Sequence, residues 1–259
     1  MSSLVSLLIV ACALLTVGFA CGGSDKPADN KPADNKPAAS PSASSSAKTD
    51  SSATPQTSSA PKDIAGKYSA TGKNSDGGGN YEADLEVISR DSVYQFRWDS
   101  AGRKYDGVGV MTGDKVAVSF TDGPDGTGCG VELFKINADG SLDGKAGYWG
   151  NNTSETEKAT RTSGTDLEGS YEIKGKNPKG ETYQGEMTVT KKGQGYEFIW
   201  KGTNGFKGFG VKVGDSVSVG FGGDKCGFVA YEVKSDGTLE GKWGSAGSSE
   251  LGTETAKKK

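Results

Sequence analysis

The sequence predicts an all-β protein: two tandem, small, antiparallel up-and-down β-barrels behind a signal segment and a disordered linker. Three observations carry this. The first is an internal repeat. Residues 206–243 read FKGFGVKVGDSVSVGFGGDKCGFVAYEVKSDGTLEGKW, and residues 105–146 read YDGVGVMTGDKVAVSFTDGPDGTGCGVELFKINADGSLDGKA. Self-similarity of this kind marks duplication of a folding unit. The second is a period of two. Tyr94, Phe96 and Trp98 alternate with Gln95 and Arg97, and Val217, Val219 and Phe221 alternate with Ser218 and Gly220. That is the pattern of strands with one buried face. The third is turn chemistry between the runs, at Asp76-Gly77, Gly113-Asp114, Asp139-Gly140, Gly193-Gln194, Gly214-Asp215 and Asp236-Gly237.

Composition agrees with small β units after a poor leader. The 259 residues include 41 glycines and only 33% hydrophobic residues. A net charge of -3 supplies no electrostatic case for nucleic acid. There is no histidine, which removes Ser-His and Cys-His catalysis and imidazole metal sites.

Residues 4–20 form an apolar run followed by Cys21. At the N-terminus this reads as a secretory signal rather than a spanning helix. The segment resembles a bacterial lipoprotein signal, in which the cysteine closing a short box is lipidated after cleavage. Gly18-Phe19-Ala20-Cys21 matches at the small residue before the cysteine and departs at Gly18, where Leu is usual. Cys21 is taken as the attachment point, with Cys12 the alternative and an ordinary signal peptide the plain reading. A lipidated terminus tethers a protein to a membrane without spanning it.

Residues 22–62 carry KPADN twice, then a Ser/Ala/Thr/Pro tract. They bury too little apolar surface to offset the entropy of ordering, so a disordered spacer is expected. Its root-mean-square reach is about 35 Å.

The first module is expected over 63–162 and the second over 165–259, each of seven or eight short strands. A single sheet system shared by both halves is the alternative. Tyr94-x-Phe96-x-Trp98 matches Tyr196-x-Phe198-x-Trp200, Cys129-Gly130 matches Cys226-Gly227, and Thr156-Glu157 matches Thr253-Glu254. The first copy carries an insertion in TDGPDGTG. Gly107, Gly109, Gly208 and Gly210 leave one strand face bare, with Val108 and Val110, or Phe209 and Val211, on the other. Trp98 and Trp200, on the preceding strand, are the expected covers; a bare ligand cleft is the alternative. The closing Lys257-Lys258-Lys259 reads as a frayed basic tail.

The modules resemble a bacterial family of secreted and lipoprotein sequences often labelled fibronectin-binding-protein-like. The shared pattern is G-x-Y, Y-x-x-x-W, G-x-G, GD-x-(L/V)-x-V, CG-x-x-x-Y, DG-x-L-x-G-x-W and a late G-T-E. The second module carries nearly all of it, including Cys226-Gly227, Tyr231, Trp243 and Gly252-Thr253-Glu254. The first departs at Ala146, where Trp is expected, and at Phe134 for Tyr. The family label implies adhesion to host matrix. In strand order the units are also similar to the calycin group of ligand-binding barrels.

Cys129 and Cys226 are a possible disulfide; in the alternative, each is a small buried residue beside its glycine. Asp114, Asp215, Asp139 and Asp236 read as turn residues rather than acid–base groups. The loop 122–128 lacks the ligand spacing of a calcium site, so no metal is expected. Tyr81, Trp98, Tyr105, Tyr183, Trp200 and Phe206 are the candidate ligand contacts, at strand ends where they either line a barrel mouth or close it. The reading is a non-catalytic binding or adhesion lipoprotein of the bacterial cell envelope, facing the periplasm or the outside. It has no catalytic residues or cofactor. Its partners are the membrane, through the N-terminal lipid, and a protein or small apolar ligand. A structural envelope lipoprotein and a carboxylate- or tyrosine-based hydrolase or isomerase are the alternatives.

Overall fold

The computed structural model describes residues 63–202 and 205–259, and within them the chain is all β. The leader, Cys12, Cys21 and the linker lie outside the described residues. The first repeat forms β1 (Gly66–Lys73), β2 (Asn80–Arg90), β3 (Val93–Ser100), β4 (Arg103–Thr112), β5 (Lys115–Asp122), β6 (Gly130–Ile136), β7 (Leu142–Tyr148) and β8 (Glu155–Thr165). The second forms β9 (Glu168–Lys176), β10 (Thr182–Lys192), β11 (Gly195–Lys201), β12 (Phe206–Val213), β13 (Ser216–Phe221), β14 (Gly227–Val233), β15 (Leu239–Gly244) and β16 (Gly252–Lys258). Each repeat thus makes eight strands, at the upper end of what the turn spacing predicts.

The strands close two antiparallel barrels, but not one per repeat. The first barrel runs β1-β16-β15-β14-β5-β4-β3-β2, and the second β10-β11-β12-β13-β6-β7-β8-β9. Each barrel therefore takes five strands from one repeat and three from the other. The expected modules 63–162 and 165–259 are corrected accordingly: β6 to β8 leave the first repeat's barrel, and β14 to β16 leave the second's. The exchange is reciprocal. Phe120 of β5 pairs with Gly227 of β14, and Phe221 of β13 pairs with Gly130 of β6. The tail is also corrected. Lys257 and Lys258 lie in β16 opposite Ser69 and Tyr68, and the Lys259 amide donates to the Lys67 carbonyl at 2.8 Å. The last strand is held because it closes the first barrel.

Each barrel has its own core. Leu85, Val87, Phe96, Trp98, Val118, Tyr231 and Leu239 fill the first. Phe134, Leu142, Met187, Phe198, Trp200, Val217 and Val219 fill the second. Tyr68 and Tyr171 close the base of each by donating to the Ile64 carbonyl at 2.6 Å and the Leu167 carbonyl at 2.8 Å. The glycine-spaced strands pack closely, but the expected covers are corrected: Trp98 covers neither Gly107 nor Gly109, and Trp200 meets only Gly208, while Gly107 lies against Phe120 and Gly210 against the Ser218 carbonyl. A Cβ on Gly208 would lie 3.0 Å from the Trp200 ring, whereas Gly109 is covered by Phe96 at 2.5 Å.

Strict alternation fails in β4, β5, β6, β12, β13 and β14, each of which carries four or more consecutive buried residues. Their outer faces meet the other barrel. Val93, Val108, Val110 and Ala117 pack against Val131 and Leu133 on one side. Phe209 and Val211 pack against Phe228 and Ala230 on the other.

The two crossovers, 123–129 and 222–226, pass against each other where the strands exchange. Gly222 has φ +118°, and a Cβ there would sit 1.9 Å from the Gly128 carbonyl oxygen, so no other residue fits. Cys129 and Cys226 form a disulfide at this crossing, with Cα atoms 5.8 Å apart. The bond spans 97 residues of sequence. Loop-closure entropy for such a length is worth about 4–5 kcal/mol. A Cys129→Ser, Cys226→Ser variant is therefore expected to melt on the order of 10 °C below the native protein. Differential scanning calorimetry with and without reductant checks this; coincident melting curves count against a stapling role.

Candidate functional site

The end of each barrel opposite Tyr68 or Tyr171 is its mouth. At the first mouth, strand termini carry large aromatic side chains inward: Tyr81 from β2, Trp98 from β3, Tyr105 from β4, Phe120 from β5 and Trp243 from β15. Together with Asn74, Ser100 and Arg103 at the rim they surround a cleft of about 430 Å³. The rings brace one another. Trp98 lies 5.7 Å from Phe120, Tyr105 meets Phe120 edge-on at 6.0 Å, and Trp243 is edge-on to Tyr81 and Phe120 at 6.1 and 6.2 Å. Beneath them Phe96 stacks on Trp98 and Tyr231, so the barrel interior is filled and the cleft is confined to the mouth. Arg103 sits 5.3 Å over the Tyr105 ring and pairs with Asp122 at 2.6 Å.

Glu254 forms one wall of the cleft. It is 5% exposed and accepts from Tyr81 Oη at 2.8 Å, from Trp98 Nε1 at 3.1 Å and from Tyr231 Oη. Burial raises its carboxyl above the usual range, and the three donors work against that rise. Burial and the Glu254 charge push the Tyr81 and Tyr231 hydroxyls up, so both remain protonated donors. Glu254 thus fixes the rotamers of two cleft aromatics.

The second mouth has the same frame with different contents. Tyr183 and Trp200 donate to Glu157 at 3.1 Å each. Phe134 stands where the first barrel has Tyr231, so a third donor is missing. Phe206 stacks on Trp200 at 4.8 Å and lies 5.0 Å from Phe221, closing that side. Two further acids enter, Glu132 from β6 and Glu155 from β8. Glu132 is 3% exposed and, among the described residues, its Oε1 has no hydrogen-bond partner. Burial first, then the Glu157 and Glu155 charges, hold its carboxyl well above the ordinary 4.5. Burial also raises Glu157, against its two donors, and burial with Glu157 raises Glu155. An unpaired buried carboxylate costs several kcal/mol, so Glu132 keeps its proton while Glu157, with two donors, is the better anion.

Of the six candidate contacts, Tyr81, Trp98 and Tyr105 converge on the first cleft. Tyr183, Trp200 and Phe206 gather at the second mouth, where Trp200 and Phe206 pack on each other. Phe120, Trp243, Arg103 and the glutamates were not among the candidates. A signal for the last existed: in Thr156-Glu157-Lys158-Ala159 and Thr253-Glu254-Thr255-Ala256, period two places each Glu on the face of a buried Ala. The Asp-Gly turns behave as turns, with Asp139 accepting from the Ser141 amide and Asp236 from the Thr238 amide, both at 2.9 Å. Among the described residues no group of acids or cysteines is arranged to hold a metal ion.

No family model, curated protein or solved structure matches this chain.

The raised carboxyl of Glu132 has a stability consequence. The folded chain keeps a proton that the unfolded chain releases above about 4.5, so stability falls as pH rises through the folded value. Glu132→Gln, a neutral isostere, is expected to flatten this decline above about pH 4.5 and to exceed the native stability at the alkaline end. Urea melts across that range test it; parallel curves for the two proteins contradict it.

Proposed function

We propose that the protein is a lipid-tethered, extracytoplasmic, non-catalytic binding protein whose first barrel takes a small ligand with a flat apolar face. The observation that carries this is the cleft of about 430 Å³ between Tyr81, Trp98, Tyr105, Phe120 and Trp243. Its volume falls in the range of small-molecule sites, and its make-up is theirs: aromatic walls with a few polar groups at the edge. The braced rings are held before any ligand arrives, which lowers the ordering cost of binding. The oxygens of Glu254 are engaged by three donors, so it serves better as a support than as an acid or base. The recess favours a small ligand over the flat surface of a matrix protein, the partner that the family resemblance implies.

The location rests on two features. The Cys129–Cys226 disulfide suits an oxidising compartment, and the apolar run ending at Cys21 suits export and lipidation.

N-phenyl-1-naphthylamine, a flat apolar fluorophore, is expected to bind saturably, and Trp243→Ala to weaken it about tenfold or more, a loss of about 1.4 kcal/mol. A fluorescence titration reads both. Absence of saturation, or equal affinity in the variant, leaves a structural envelope role as the better account. Separately, mass spectrometry of membrane-extracted protein is expected to find a mature terminus at Cys21 bearing acyl chains; an unmodified terminus removes the tether.

A further inference from the structure

The two mouths differ as a unit on one rung of the sheet. In the first barrel Val229, Trp243 and Gly252 lie side by side on β14, β15 and β16. The Trp243 indole covers Gly252, where a Cβ would come within 2.5 Å of the ring. In the second barrel the same rung is Glu132, Ala146 and Glu155 on β6, β7 and β8. A methyl group replaces the indole, and a carboxylate stands on either side of it. The flanking backbones are about 10 Å apart, two strand spacings. Glu157 occupies the next inward rung of β8, opposite Gly144.

The twin barrel serves as an internal control. It closes with the same topology without Glu132 or Glu155, so the fold does not require either. Among the described residues, none of Glu132, Glu155 and Glu157 makes an ion pair. The nearest cation on this rung's own strand, Lys145, points away and donates to the Met111 carbonyl. The groups facing these acids are Tyr148 from β7, which hydrogen-bonds Glu155, and Tyr183 from β10 and Trp200 from β11, which bond Glu157, with Phe221 from β13 edge-on to Tyr148 at 5.3 Å. Three acids, walled by aromatic faces and uncompensated by any cation, include one buried oxygen with no partner. That orphaned Glu132 Oε1 is the second, independent sign of a missing donor.

We propose that the Glu132–Ala146–Glu155 rung, with Glu157, is a binding site for the primary ammonium group of an organic amine. An ammonium supplies three donors and a charge. Set beside Ala146 and over Gly144, where Glu132 Oε1 lies, it reaches the carboxylates and takes cation–π support from the surrounding rings. Glu155, only partly buried, marks its entry. The site is separate from the aromatic cleft of the first barrel. Binding has a proton balance: Glu132 is neutral before binding and becomes a carboxylate against the ammonium, releasing its proton to solvent.

Isothermal titration of the full chain with butylammonium tests this, with butanol and Ca²⁺ as separate arms. Repetition in buffers of different ionisation enthalpy counts the protons. Expected are saturable binding of butylammonium, release of up to about one proton, and affinity that rises with pH. Glu155→Gln, at a partly buried position, is expected to weaken binding about tenfold. Glu132→Val/Ala146→Trp/Glu155→Gly copies the rung of the twin barrel and is expected to abolish it. No saturable heat from butylammonium overturns the proposal. So does equal affinity in both variants, equal binding of butanol, or a preference for Ca²⁺.

Discussion

Everything in this molecule depends on the crossing of two short chain segments. Residues 123–129 and 222–226 pass so closely that the backbone of one occupies the space of a side chain on the other, at Gly222 against Gly128. Only that approach lets β5 pair with β14 and β13 with β6. Once the exchange is made, neither repeat can close a barrel without the other, and the apolar outer faces of β4, β6, β12 and β14 are trapped between the two. The disulfide sits where it holds this crossing, rather than within either core. It restrains the unfolded chain over a span of 97 residues.

The exchange also decides how each mouth is built. Trp98 and Tyr81 come from the first repeat, but the carboxylate they bond, Glu254, comes from the second. Trp200 and Tyr183 come from the second repeat and bond Glu157 of the first. Each network is therefore a product of both copies. A change in β6 to β8 acts on the barrel of the other repeat, so one copy's divergence reshapes a mouth whose remaining wall is supplied by its twin. Glu132, Ala146, Tyr148 and Glu155 form one such set of changes.

Strand existence was legible because period two survives wherever one face meets water, as in β2, β3, β10 and β11. The turns were legible because Asp-Gly chemistry is local. The partition into barrels was not. Two equivalent copies offer β6–β8 two equally patterned places to pair, and alternation is the same in both. What separates them is tertiary: the valines and phenylalanines on the outer faces of β4 and β12 need an apolar partner, which the other barrel supplies. The disulfide stayed open for the same reason, since Cys129 and Cys226 meet only if the crossovers meet. The C-terminal lysines looked like a tail because composition outweighs register when a strand ends in charge. Half of the first cleft was visible as strand-end aromatics; its glutamate was hidden among surface-like Thr, Lys and Glu.

The last step concerns how one fold accommodates a buried acid. A carboxyl group lifted out of water either finds donors or keeps its proton. The first barrel takes the first route: Tyr231 adds a third donor to Glu254, and Val229 and Gly252 bring no further acid near it. The second takes the other. Phe134 withholds the third donor from Glu157, and the added Glu132 stays protonated beside it, with Glu155 as a further acid that makes no ion pair among the described residues. These substitutions run in one direction, each making the second mouth worse as a closed hydrophobic end and better as a receptor for a positive group. Packing alone does not select for that, because the first barrel builds the same frame with an indole over a glycine and no added acid on that rung.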